Sequence, residues 1–196
     1  MIPRHLVIAV TLLAAASILL GYHMLRLQRQ QQERATELAL ERPVAPPVAG
    51  REEPVVLVIA YDGEGVVRRE HKTIVVPEET GARAREILRA LLAHYQQKPS
   101  PHPIDPEADV RDAFMVRGDV AVIDMNAAFA DGHRSGVLVE TLTVVSLVDT
   151  LTANLPTIRR VKFLVDGRER ETLAGHFDLM AVHDTGSVRG LIEEVR

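Results

Sequence analysis

The stretch from Gly136 to Val165 leaves this chain few ways to fold. Gly136 to Asn154 carries Val139, Leu142, Val145, Val148 and Leu151 among its apolar positions, at helical spacing. Asn154-Leu155-Pro156 stops that helix, because Pro lacks the N–H and clashes with the preceding turn. A β-type run, Arg160 to Val165, follows and closes on an Asp166-Gly167 turn. So apolar a helix must be covered, and a strand so short needs neighbours. Together they demand a mixed α/β domain.

The text on either side supplies the neighbours. Val55 to Tyr61 is an apolar run too short for a helix and reads as a buried strand. Asp62-Gly63-Glu64-Gly65 is a turn, and Val66 to Val76 reads as a second strand with Arg68, Glu70 and Lys72 on one side. The two predict a hairpin. Pro77 to Thr80 opens a helix, with acidic Glu78 and Glu79 placed to complement its dipole. Ala84, Ile87, Leu88, Leu91, Leu92 and Tyr95 form its apolar stripe; Arg83, Arg85, Glu86 and Arg89 line the solvent side. Pro99, Pro101, Pro103 and Pro106 end it and force a long irregular loop. Arg111 to Val116 and Val120 to Asp124 predict a second hairpin around Arg117-Gly118-Asp119, and Ser135 is the expected cap of the 136–154 helix. The order is β-β-α-β-β-α-β. The expected fold is α/β of the α+β kind: a mostly antiparallel sheet with two helices on one face. No internal repeat occurs.

The N-terminus is of a different kind. Leu6 to Gly21 contains no charge, and Ile2, Pro3, Tyr22 and Met24 can lengthen it toward a bilayer span. Its small residues, Ala14 to Ser17, lie inside the apolar run, and Tyr22-His23-Met24 is a poor cleavage site. An uncleaved transmembrane helix is therefore preferred to a signal peptide. Arg42 to Pro54 holds four Pro and reads as an extended linker. The expected organisation is an anchor over 1–25, a stalk and linker over 26–53, the α/β domain over 54–184 and a polar tail over 185–196. The tail is polar enough to fray, with room for a short helix at Leu191 to Val195. Arg26, Arg29 and Arg34 outweigh Arg4 and the α-amino group, which on charge alone leaves the domain in the cytoplasm.

Composition excludes several chemistries. Without Cys there is no disulfide, thiolate nucleophile, Cys-based zinc site or lipid-bearing Cys. A net charge of -4 and a pI near 6.1 give no reason to expect nucleic acid as a partner. No G-x-S-x-G or S-x-x-K motif surrounds Ser135 or Ser146. His133, Glu140, His176 and Asp178 include no His pair at the i, i+4 spacing of a helical zinc site. They read better as groups that satisfy turns and helix ends. Asp124, Glu140 and Asp166 each end or follow an apolar run and are the carboxylates that could act on a glycoside, but turn and strand-end roles account for them. Gly167 and Gly175 are expected at positive φ. Arg159, Arg160 and Lys162 at the entry to the last strand read as a solvated, pairing-resistant edge; the alternative is a patch for an acidic partner or an anionic glycan. No cofactor is expected.

Three segments together suggest a family: Ser146 to Thr152 (SLVDTLT), Val161 to Gly167 (VKFLVDG) and Thr172 to Asp178 (TLAGHFD). Leu88 to Leu92, the Pro103 to Pro106 loop and Ala121 to Phe129 (AVIDMNAAF) support them in the same order. The region Val55 to Leu179 resembles the GerMN domain, named after a spore germination and sporulation protein. The chain has one copy where the name-giving protein has two, and lacks its lipoprotein Cys. The resemblance implies a non-catalytic interaction module in the cell envelope, extracytoplasmic against the charge balance, that binds envelope proteins or itself. It makes Asp149, Asp166, Gly167, Gly175 and His176 the positions expected to shape turns and one shared surface. Two other readings stay open. One is a peptidoglycan-binding module, for which Tyr22, Tyr61, Tyr95 and four Phe are few aromatic platforms. The other is a wall-acting enzyme, which requires Asp124, Glu140 and His176 in one cleft.

Overall fold

The computed structural model describes residues 50–195. The expected anchor, the stalk and all but the last residues of the linker lie outside that range. Six strands and four helices follow in the order β1 (Arg51–Tyr61), β2 (Val66–Val76), α1 (Thr80–Gln96), β3 (Val110–Val116), β4 (Val120–Met125), α2 (Ala127–Asp131), α3 (Val137–Asn154), β5 (Arg160–Val165), β6 (His183–Asp184) and α4 (Thr185–Val195).

The mixed α/β class holds, but the single sheet does not. β1 and β2 form a two-stranded antiparallel hairpin, in register from Arg51 opposite Val76 to Tyr61 opposite Val66. The strands β3-β4-β5-β6 form a separate four-stranded sheet, in which β4 and β5 run parallel. A parallel neighbour requires a crossover, and α2 and α3 supply it between β4 and β5. The sheet divides because the inner edge of β1 is already occupied by side chains of α3. The Val58 N–H donates to Thr150 Oγ1 at 2.8 Å and the Val58 carbonyl accepts from Ser146 Oγ at 2.6 Å. Asn154 closes both groups of Val56, its Oδ1 accepting the N–H at 2.9 Å and its Nδ2 donating to the carbonyl at 2.7 Å. Residues four apart on a helix share a face, so Ser146, Thr150 and Asn154 run along β1 like a surrogate strand. Tyr95 of α1 extends the row by accepting the Ala60 N–H at 2.8 Å.

α3 is long and apolar enough to cross a bilayer. Instead, every residue from Glu140 to Leu151 is buried in this domain, where the helix lies against β1, α1 and α4. α1 buries the predicted stripe, Ala84, Ile87, Leu88, Leu91, Leu92 and Tyr95; each large member contributes roughly 1.5–3 kcal/mol of burial. Glu79 caps α1 by accepting the Gly81 and Ala82 N–H groups at 2.8 and 2.5 Å. The solvent-side arginines are ion-paired rather than free: Arg83 to Glu53, Arg85 to Glu86 and Arg89 to Asp109.

Other expectations need correction. β1 begins at Arg51, ahead of the expected start of the domain. A short helix, α2, forms after β4 because Asn126 accepts the Phe129 N–H at 3.1 Å. The segment 183–195 is ordered as β6 and α4, so the short helix expected at Leu191 to Val195 begins earlier, at Thr185. Val188 of α4 is buried, and Arg189 reaches back to Asp149 of α3 at 2.7 Å. The basic cluster is solvated at Arg159 and Arg160, as expected, but the start of β5 is not unpaired: β6 pairs with Arg160 and Val161, and Lys162, at only 9% exposure, donates to the carbonyls of Leu179 and Met180 and pairs with Glu169. Its long stem lets a lysine lie buried while its ammonium is bonded.

Candidate functional site

Four of the predicted residues meet at the N-terminus of α3, around Glu140. The side chain is fully buried. Its Oε1 accepts the Gly136 N–H at 3.1 Å and faces His176 Nδ1 at 2.9 Å. Its Oε2 accepts the N–H groups of Ala174, His176 and Phe177 at 3.1, 3.0 and 2.8 Å. Burial pushes this carboxyl up, but the Phe177 N–H, the His176 ring and the Gly136 and Ala174 N–H groups outweigh it and leave the pKa at about 2. Gly136 is the N-cap of α3, and Glu140, inside the first turn, reaches back to accept its backbone N–H. Ser135 makes no cap bond to the helix; its hydroxyl lies 3.4 Å from His176 Nδ1. Gly175 turns the 172–178 loop onto the carboxylate at φ +116, where a side chain is strained.

A second network lies beside it, and the sequence did not single out its central residues. His102 is fully buried in the Pro-rich loop. Its Nδ1 meets Asp62 Oδ1 at 2.5 Å and its Nε2 meets Thr143 Oγ1 at 2.7 Å. His133 Nε2 meets the same hydroxyl at 2.7 Å, and its Nδ1 meets the Arg134 carbonyl at 2.7 Å. Arg134 also pairs with Asp62 Oδ2. Burial pushes Asp62 up, but His102 and Arg134 hold its carboxyl below the usual range. Burial pushes the Tyr95 phenol well up, so it stays protonated beside Ser146 Oγ at 2.5 Å.

Carboxylate, imidazole and hydroxyl in this order have the outline of a nucleophile relay. Access is what the arrangement lacks. Thr143 is 1% exposed, and its hydroxyl donates to the Val139 carbonyl at 2.8 Å. A hydroxyl has one hydrogen and two lone pairs. Thr143 therefore divides these among Val139, His102 and His133, and its chemistry is to hold protons within the fold. Pro101-His102-Pro103 was the available clue: a long loop between elements needs a polar anchor.

The remaining predicted residues stand elsewhere. Asp124 of β4 accepts the Gly167 N–H at 2.7 Å, and Arg111 bridges it to Asp166 at 3.5 and 2.6 Å. Asp166 and Gly167, at φ 49 and 71, form the two-residue turn between Val165 and Arg168. Asp149 holds Arg189. Asp178 accepts the Met180 N–H at 2.6 Å. Glu140 and His176 therefore meet while Asp124 joins a different set of partners. Among the described residues no group of three or more His, Asp or Glu is arranged to hold a metal, and no buried polar side-chain atom lacks a partner.

An α+β domain with two sheets, locked by a buried carboxylate at the start of its central helix, is the class this geometry defines. The chain belongs to the Germane family, described as sporulation and spore germination, whose model matches residues 57–171. The chain is similar to the first GerMN domain of the sporulation protein GerM from Bacillus subtilis, at 18% identity over 66% of this chain and 94% of that one, with a TM-score of 0.47. It is similar to the tandem GerMN domains of that protein at 16% identity over 70% of this chain and 48% of that one, with a TM-score of 0.49. A Clostridium perfringens protein provisionally described as a lipoprotein matches at 20% identity over 74% of this chain and 95% of that one, with a TM-score of 0.48. No curated protein matches the chain.

Proposed function

We propose that this protein is a membrane-anchored envelope component whose Germane domain works outside the cytoplasm as a non-catalytic assembly module. One observation carries the reading. The polar groups best suited to chemistry, Asp62, His102, Glu140, Thr143 and Ser146, are turned inward and bonded within the domain. What the domain offers outward is an open strand and exposed apolar side chains, among them Phe114, Val137, Met180 and Val182. Such surfaces suit protein contact. The apolar run at residues 6–22 provides the anchor, and the sporulation and germination setting of the family favours the extracytoplasmic side over the charge balance. The partners in this reading are envelope proteins or a second copy of the chain.

The test is mild crosslinking of the full-length protein in its own membranes, followed by mass spectrometry. A specific envelope protein, or the chain joined to itself, is expected. Muropeptides without any protein partner would overturn the reading in favour of a peptidoglycan-binding module, which co-sedimentation with purified sacculi would then establish.

A further inference from the structure

β2 pairs along its whole length with β1 and with no other strand. Six consecutive residues, Arg68 to Thr73, are exposed. Two of their charges are engaged: Arg68 pairs with Glu64 and stacks on Tyr61, and Glu70 accepts from the Tyr61 hydroxyl. Arg69, His71 and Lys72 have no hydrogen-bond, ion-pair or ring partner among the described residues. This sets them apart from the arginines of α1, each of which is tied to a carboxylate. The free backbone edge is therefore flanked by two unpaired cations, Arg69 and Lys72, with the carboxylate of Glu70 between them. Side chains alternate along a strand, so Arg69 and Lys72 project from opposite faces and the charge lies on both sides of the edge.

That pattern selects the occupant. Two β2 edges laid antiparallel about Glu70 and His71 place Arg69 opposite Lys72 at both ends. Shifted one way, Arg68 faces Lys72; shifted the other way, Glu70 faces Lys72. Like charges directly opposite destabilise a strand pair, so two of these three registers disfavour a second copy, as edge cations commonly do. An acidic strand meets the reverse situation: it can complete the backbone ladder and neutralise cations at the same time. We propose that the open edge of β2 docks an extended acidic segment of a partner protein as an added strand, with carboxylates three positions apart meeting Arg69 and Lys72. This proposal rests on the assembly reading above and names its surface and the chemistry of its partner.

The experiment places a photo-crosslinking benzoylphenylalanine at position 71, 114 or 182 of the full-length protein in its own membranes and maps the adducts. At position 71 the adduct is expected on a segment with two acidic residues three apart. Arg69→Glu with Lys72→Glu should cut that yield more than about tenfold, and reversing the two partner carboxylates to Lys should restore it. These positions are exposed, so an unchanged melting curve confirms that the variants fold. An adduct at position 71 on a basic or uncharged segment, or on a second β2, overturns the proposal. So does capture at 114 or 182 with none at 71, an outcome that leaves the assembly reading intact. No protein adduct at any of the three positions sinks both.

Discussion

Glu140 is held ionised inside the protein by four backbone N–H groups and one imidazole. Its folded pKa, about 2, lies below its ordinary value of 4.5. The unfolded chain therefore takes up the proton first. The resulting stabilisation is fully present above pH 4.5 and is lost as pH falls toward 2. Linkage sets it at about 3 kcal/mol. Glu140→Gln is expected to lose about that much at neutral pH by urea unfolding, with the gap to the parent closing toward pH 2. His133 has the opposite charge type. Burial lowers its pKa against the Arg134 carbonyl, so the ring is neutral in the fold after the unfolded chain has begun to protonate. The stability it confers is present above pH 6.5 and declines as pH falls below that value. In the neutral ring the one hydrogen serves the Arg134 carbonyl from Nδ1, and the bare Nε2 can take the Thr143 hydrogen only in place of the Val139 carbonyl. His133→Gln should flatten the stability profile just below pH 6.5, read from melting temperature against pH. At Gly167, φ is +71 and a Cβ there would meet no atom within 4 Å, so only backbone strain opposes a side chain. Gly167→Val is expected to cost about 1–2 kcal/mol; an unchanged melting temperature would refute the role of positive φ.

The row of Ser146, Thr150 and Asn154 is the element that most shapes this fold. Thr150→Val keeps the shape of the side chain and orphans the buried Val58 N–H, at a cost of roughly 1–3 kcal/mol. Hydrogen exchange should show the Val58 amide exchanging faster than its neighbours in β1. The row also marks where sequence reasoning stops. Periodicity locates β1 to β5, α1 and α3, because each has a clear apolar pattern. It does not show that polar residues on an apolar helix replace a strand. Ser146 therefore reads as a weak nucleophile candidate, and one sheet is expected where two exist. α4 reads as a fraying tail because its anchor, Asp149, lies forty residues away in sequence. At the site, the Asp166-Gly167 turn and the bend at Gly175 are legible from local turn chemistry. The meeting of Glu140 with the 174–177 backbone is not, since no pattern within either segment specifies the other. Asp62 is readable only as a turn residue, and nothing local links it to His102.

On the scale of the whole domain, the last helix closes what the first hairpin begins. α4 covers α3 through Val188 and through the Arg189 pair with Asp149. Deleting residues 185–196 uncovers that face and should lower stability by roughly 2 kcal/mol or more, measured by denaturant unfolding of otherwise full-length protein. The outward surfaces divide by character: β2 is charged, whereas Phe114, Val137, Met180 and Val182 are apolar. An assembly module can use both kinds without rearranging its core. The side-chain row on α3 also has a consequence in time. The groups that seal β1 lie 92 and 98 residues farther along the chain. At roughly 5–20 residues per second of synthesis, the ribosome delivers them about 5–20 s after the strand itself. For that interval the nascent hairpin has two raw edges instead of one, and only the outer edge carries repelling charge. The newborn chain is thus most adhesive before Ser146 emerges, and its escape from misassembly depends on what shelters it until then.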